Sequence, residues 1–259
     1  MLRTALLLSL STFALIACKE EPSKPLAPPV QQPLEAAKPA SEGAKKLTVA
    51  PESSSVTWTM NAPLEKIYGD VPGGVSGEVF VDPTDITKTT GLVHVDLSKL
   101  VLFQQKRDDD KKEYGEKKKD DTQNKHARGW LEIDTDAPPD MLKQNQQAEL
   151  KILSVTANGG ADITKLTGDE RKIAAVVNAD FVLHGRKVQK AVDVEVTFKM
   201  NGDAVSEIRV KSLKPMMVGL EEHDVRPREA FGKLAAKGLS ALGSKVATAA
   251  PVDIDIVAR

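Results

Sequence analysis

Residues 173–198 read IAAVVNADFVLHGRKVQKAVDVEVTF, and the spacing within this stretch decides the fold class. Ile173, Ala175, Val177, Ala179, Phe181 and Leu183 fall at every second position. Lys172, Asn178 and Asp180 take the opposite face, although Ala174, Val176 and Val182 share it. Val192, Val194, Val196 and Phe198 then alternate with Asp193, Glu195 and Thr197. A period of two marks a strand whose two faces meet different surroundings. Between the runs lies His184-Gly185-Arg186-Lys187, a short polar corner with glycine where a tight hairpin needs one.

The same period continues outward in both directions. Towards the C-terminus a strand around residues 206–212 follows the turn Asn201-Gly202-Asp203, and Val252, Ile254 and Ile256 are set against Asp253 and Asp255. Towards the N-terminus the alternation runs through Val56, Trp58 and Met60, through Val75, Gly77, Val79 and Val81, and through Val93, Val95 and Leu97. About eight antiparallel segments predict an all-β fold, a barrel or a sandwich, and strands of about ten residues are long for a sandwich and suit a barrel. One accessory amphipathic helix is expected over residues 228–242, where Phe231, Leu234, Ala235, Leu239 and Leu242 have helical spacing. Residues 143–147 read as a short helical turn or a polar loop. Residues 106–125, KRDDDKKEYGEKKKDDTQNK, are expected as a solvated loop, since so charged a run cannot offset its own ordering entropy. The same run lacks the alternating acidic spacing about a central glycine that a calcium loop requires.

The first 17 residues, MLRTALLLSLSTFALIA, carry a basic start and a run of about thirteen apolar residues. That run is too short to span a bilayer and suits a secretory signal. It ends at Leu15-Ile16-Ala17-Cys18, an arrangement that resembles the bacterial lipobox and holds the chain's single cysteine. The expected organisation is a signal peptide over residues 1–17, a lipidated Pro/Ala-rich linker over residues 18–46 beginning at Cys18, and a barrel domain over residues 47–259. Several acyl chains on Cys18 would hold the protein to a membrane without crossing it. Lys19 after the cysteine points to the outer membrane of a bacterial envelope, facing the periplasm.

Thirty-six basic against 37 acidic side chains give a net charge of −1, which removes the usual argument for nucleic acid as a partner. One cysteine excludes a disulfide framework. His94, His126, His184 and His223 show no metal-ligand spacing, and Glu221-Glu222-His223-Asp224 reads as capping or solvation ahead of the expected helix. Gly73-Gly74-Val75-Ser76-Gly77 lacks the nucleophile-elbow spacing and opens a strand. With no P-loop and no dinucleotide fingerprint either, the sequence offers no catalytic constellation, no cofactor and no metal site.

The ordered set of strands resembles the YceI-like family of secreted bacterial proteins. The points of match are Ser54-Ser55-Val56-Thr57-Trp58, Gly77-Glu78-Val79 leading to Asp82, and Val93-His94-Val95-Asp96-Leu97-Ser98. The fullest is Ala179-Asp180-Phe181-Val182-Leu183-His184-Gly185, followed by Lys187-Val188 and residues 192–196. The resemblance runs from Leu47 to the C-terminus and departs at the charged segment 106–125. It implies an extended eight-stranded antiparallel barrel of lipocalin type with a helix nearby and an elongated apolar pore for a long amphiphile, particularly a polyisoprenoid such as an isoprenoid quinone or polyprenyl phosphate, and it carries over no catalytic motif. Candidate lining residues are Trp58, Val177, Ala179, Phe181, Leu183, Val194, Val196 and Phe198. The competing expectation is a filled barrel, acting as an envelope interaction module through its charged loop and Pro-rich stalk.

Overall fold

The computed structural model of the chain describes residue 29 and residues 33–62, 64–109, 111–134, 138–202, 204–226 and 248–259. Cys18, the signal segment and the helix expected over residues 228–242 lie outside the described residues.

Residues 170–201 form the longest hairpin among the described residues. Strands β9 (Glu170–Leu183) and β10 (Arg186–Asn201) pair antiparallel from Arg186 opposite Leu183 to Lys199 opposite Glu170. Both turn residues are left-handed, His184 at φ 49° and Gly185 at φ 66°, as the right-handed twist of the flanking strands requires. Gly185 adopts this freely. At His184 the same conformation costs about 1–2 kcal/mol and is held by contacts of its ring, described below.

Thirteen strands, where eight were expected, join one antiparallel sheet among the described residues. Bending accounts for much of the excess. β3 (Glu65–Asp70) and β4 (Val75–Val81) are separated by a turn at residues 71–74, opposite the 3-10 turn Leu97–Lys99 that separates β5 (Thr90–Asp96) from β6 (Val101–Lys106). The Asp96 carboxylate accepts from the Ser98 amide at 3.0 Å, a local turn that competes with the ladder. Leu97, which alternation alone assigns to the strand, therefore belongs to the turn.

Eight strands form a ring: β1 (Lys45–Thr48), β4, β5, β8 (Gln147–Ala157), β9, β10, β11 (Ala204–Ser212) and β13 (Ala249–Ala258). Its seam closes where Val49 bridges Ala258 and where Thr48 and Arg259 exchange hydrogen bonds of 2.8 and 2.9 Å. From β13 the sheet continues through β2 (Ser55–Ala62), β3, β6 and the short β7 (Lys118–Lys119), while β12 (Met216–Gly219) also pairs β13.

The charged segment is more ordered than its composition suggests. It contains β7 and the start of helix α1 (Asp121–Trp130), and the Tyr114 ring lies between Lys66 Nζ at 4.4 Å and the Arg107 guanidinium at 4.5 Å. Asp120 caps α1 by accepting from the Gln123 amide at 2.8 Å. Asn124 stands in for a neighbouring strand, accepting from Leu102 N and donating to Leu102 O, both at 2.9 Å. The helix thereby covers part of the β6 edge. A second helix, α2 (Pro139–Asn145), leads into β8.

Residues 33–44, part of the expected linker, run along the wall. Ser41 Oγ donates to Asp82 at 2.7 Å, Lys38 O accepts from Thr90 Oγ1 at 2.6 Å, and the Leu34 amide donates to Glu149 at 2.9 Å. Pro29 then forms an antiparallel bridge with Arg186.

Candidate functional site

The curled sheet surrounds a cavity of about 1360 Å³. A small-molecule pocket ordinarily holds about 300–1000 Å³, so this one is sized for something larger. Alternation builds its wall. β10 contributes Val192, Val194, Val196 and Phe198, β9 contributes Val177, Phe181 and Leu183, and β13 contributes Val252, Ile254 and Ile256. Seven of the eight residues proposed from sequence, Trp58, Val177, Phe181, Leu183, Val194, Val196 and Phe198, meet on this surface. Ala179 does not reach it. It is fully buried opposite Ile152, which does line the space, and its methyl is too short to extend past that neighbour. The filled-barrel expectation fails on the open volume itself.

Most polar lining residues gather at one end. Asn61 and Glu65 flank the β2–β3 turn, Lys106 ends β6 with Arg107 and Asp108 following it, and Gln123 and His126 face inward from α1, while Glu149 lines the wall from β8 and Thr89 stands at the opposite end. These segments adjoin. Glu65 pairs with Lys106 in register, Gln104 donates to the Glu65 carboxylate at 2.5 Å, and the Arg107 amide donates to Leu64 O at 3.0 Å. Beneath this rim stand Trp58 and Trp130, the chain's two tryptophans, both on the lining. Trp130 stacks parallel to His126 with centroids 6.4 Å apart. Trp58 lies across its cross-strand partner Gly69, where a Cβ would stand 2.0 Å from the indole. Sequence reasoning missed Ala127 and Trp130. Their three-residue spacing behind the capping Asp120 was the available signal, obscured by the surrounding charge.

No protein-family model and no curated protein matches the sequence. Two solved structures resemble the fold. One is BcnA of Burkholderia cenocepacia, 18% identical, covering 82% of this chain and 99% of its own, at a TM-score of 0.48. The other is a polyisoprenoid-binding domain from Saccharophagus degradans implicated in plant cell wall breakdown, 14% identical, covering 82% and 97%, at a TM-score of 0.44. Both likenesses are remote.

The hairpin end of the barrel is tied by a buried histidine pair. His184 Nε2 lies 2.9 Å from Glu132 Oε2, and its Nδ1 lies 3.1 Å from His223 O. His223 Nδ1 faces Leu183 O at 3.2 Å and Arg186 O at 3.1 Å. Glu132, His184 and Asp224 are the non-glycine residues with positive φ among the described residues, and they sit in these joined loops. Such backbone persists only where surrounding contacts over-determine it. The His223 ring packs edge-on to Phe181 at 5.3 Å, so the tie supports the cavity wall directly. Among the described residues no group of three or more His, Cys, Asp or Glu is placed to hold a metal.

Burial holds the His223 imidazole below its ordinary value of 6.5, against the opposing pull of Glu222. Its Nε2 is buried without a hydrogen-bond partner, 3.8 Å from Glu222. Below about pH 6.5 the unfolded chain takes up a proton that the folded ring resists. This contribution to stability is therefore complete above that pH and lost as pH falls towards the depressed folded value. Thermal melts from pH 7.5 to 5.5 are expected to show a falling midpoint, and His223→Asn, which keeps a donor near Nδ1, should flatten that part of the curve. An equal slope in the variant would remove His223 as the cause.

Proposed function

We propose that this protein is a YceI-like, lipid-anchored envelope protein that holds one long-chain amphiphile of isoprenoid type in its barrel, tail in the bore and headgroup at the polar rim. The observation that carries the reading is the cavity, mostly aliphatic along its length and with most of its polar lining at one end. A hydrocarbon tail needs displacement of water and room, and branched aliphatic walls supply both without directional demands. At about 25 cal/mol per Å² of apolar surface, burying several hundred Å² of chain gives several kcal/mol before ordering costs. Cys18 carries the anchor in this reading, and several acyl chains suffice for stable attachment. No catalytic step is required: the chemistry offered is solvation of a tail.

The two tryptophans report on occupancy because both line the bore. Titration with an isoprenoid quinone, whose ring quenches indole emission, should quench saturably near one equivalent. A polyprenyl phosphate should compete with it. Trp130→Phe should remove the part of the response that arises beneath the rim. Linear, non-saturable quenching of the kind free tryptophan shows would contradict the reading.

A further inference from the structure

Residues 33–44 and Pro29 lie along a strap whose course fixes where the tether leaves the barrel. β1 pairs with β4 so that Lys45 lies opposite Val81, at the end of the barrel away from the β9–β10 hairpin. From there, reading backwards, the chain meets Asp82 through Ser41 and Thr90 through Lys38. Four residues further it meets Glu149 through the Leu34 amide. Glu149 stands opposite His94, four residues along β5 from Thr90, so strap and strand advance together. The bridge from Pro29 to Arg186 completes the course beside the His184-Gly185 turn. That turn is tied through His184 to Glu132, two residues beyond α1, whose inward face belongs to the polar rim.

Both anchoring acids are built in. Asp82 is 4% exposed and is held ionised, below the ordinary carboxylate range, by Thr84 and Ser41. Glu149 is also 4% exposed; burial pushes its carboxyl up, but His94 at 3.2 Å and the Leu34 amide outweigh burial and bring it below its ordinary value. Removing the strap would leave each buried carboxylate short of a donor, which costs about 1–3 kcal/mol per site.

We infer that the strap turns the open rim of the barrel towards the membrane that holds the anchor, so that a lipid passes between bilayer and bore without crossing open water. This rests on the anchored, lipid-binding reading above. Chain length carries it. Were the tether free up to Lys45, its 27 residues beyond Cys18 would reach about 85 Å at about 3.1 Å per residue, and would impose no orientation. With the strap seated Pro29 is only eleven residues beyond Cys18, a reach of about 35 Å from the rim end. β10 alone has 16 residues, about 50 Å, or about 40 Å along the axis at ordinary barrel tilt. A barrel standing with its far end on the membrane would thus need a longer leash than the strap leaves. Leu64, on the rim turn and 49% exposed, is placed to meet the bilayer surface.

The test uses full-length acylated protein on vesicles, where the thioether blocks Cys18. A dye is placed on Leu64→Cys at the rim or on Lys165→Cys at the far end, where the side chain is 80% exposed. Acceptor dye on lipid headgroups reads the proximity of each. Transfer from position 64 should exceed that from position 165 severalfold, and Leu34→Pro with Ser41→Ala, which removes the strap's hydrogen bonds to Glu149 and Asp82, should bring the two close to equality. Equal transfer in the intact strap, or stronger transfer from position 165, overturns the inference while leaving lipid binding untouched. Protein that fails to float with the vesicles overturns the anchored reading instead, and is seen before any transfer is measured.

Discussion

Val177→Trp abolishes uptake of an isoprenoid quinone while lowering the melting temperature by only a few degrees. Val177 lies midway along the bore, opposite Val192 on one side and Val155 on the other, and all three line the cavity. In a close-packed core an added indole would force neighbours off their rotamers at about 1–3 kcal/mol or more. In an open bore the indole enters vacant space and buries apolar surface of its own, so the stability cost is small and the functional cost complete. The pairing of the two results is the discriminating feature. A variant that neither folds stably nor binds would indicate a filled core at this level, and one that binds normally would place the ligand elsewhere. Val177→Ala provides the control, removing little wall and leaving uptake within a few-fold of the parent.

Phe198→Ala has the largest expected effect on stability, about 3 kcal/mol in denaturant titrations. Phe198 is 2% exposed, pairs with Ile208 on β11 and Arg171 on β9, and lines the bore. Truncating a buried Phe ordinarily costs about 3–5 kcal/mol, the spread reflecting how far the site collapses. The ring touches the cavity lining, so its neighbours can relax towards the bore when it is removed, which sets the expectation at the lower limit. The bore lengthens by the space the ring vacates, so affinity should shift towards longer isoprenoid chains. A loss below about 1 kcal/mol would mean that the ring is not packed as described.

Strands with a strict period of two were legible, and so were the residues that they turn inward, because alternation alone decides the face. Phe181, Val194 and Phe198 needed no further information. Elsewhere the local signal and the tertiary answer diverge. Leu97 continues an alternating run yet sits in a turn, because Asp96 captures the Ser98 amide. Ala179 has the right parity but lacks the length to reach the cavity. The segment around residues 106–125 reads as solvent-borne by charge, but Asp120, Asn124 and Tyr114 fasten it to β6, Lys66 and Arg107 through contacts no composition reports. The strap was equally hidden. Besides the Ser41 hydroxyl, its hold depends on two backbone atoms, Leu34 N and Lys38 O, meeting Glu149 and Thr90 far away in sequence. Backbone donors and acceptors are present in every residue, and sequence identity does not advertise which of them will be used.

The central claim is that the bore is hollow so that it can hold a hydrocarbon chain. Native mass spectrometry of the full-length protein purified from its own envelope weighs the occupant directly. The account predicts a mass excess over the acylated polypeptide equal to one long-chain lipid, absent from Val177→Trp prepared in the same way. Wild-type protein at its bare acylated mass, unchanged after incubation with an isoprenoid quinone or a polyprenyl phosphate, would contradict it.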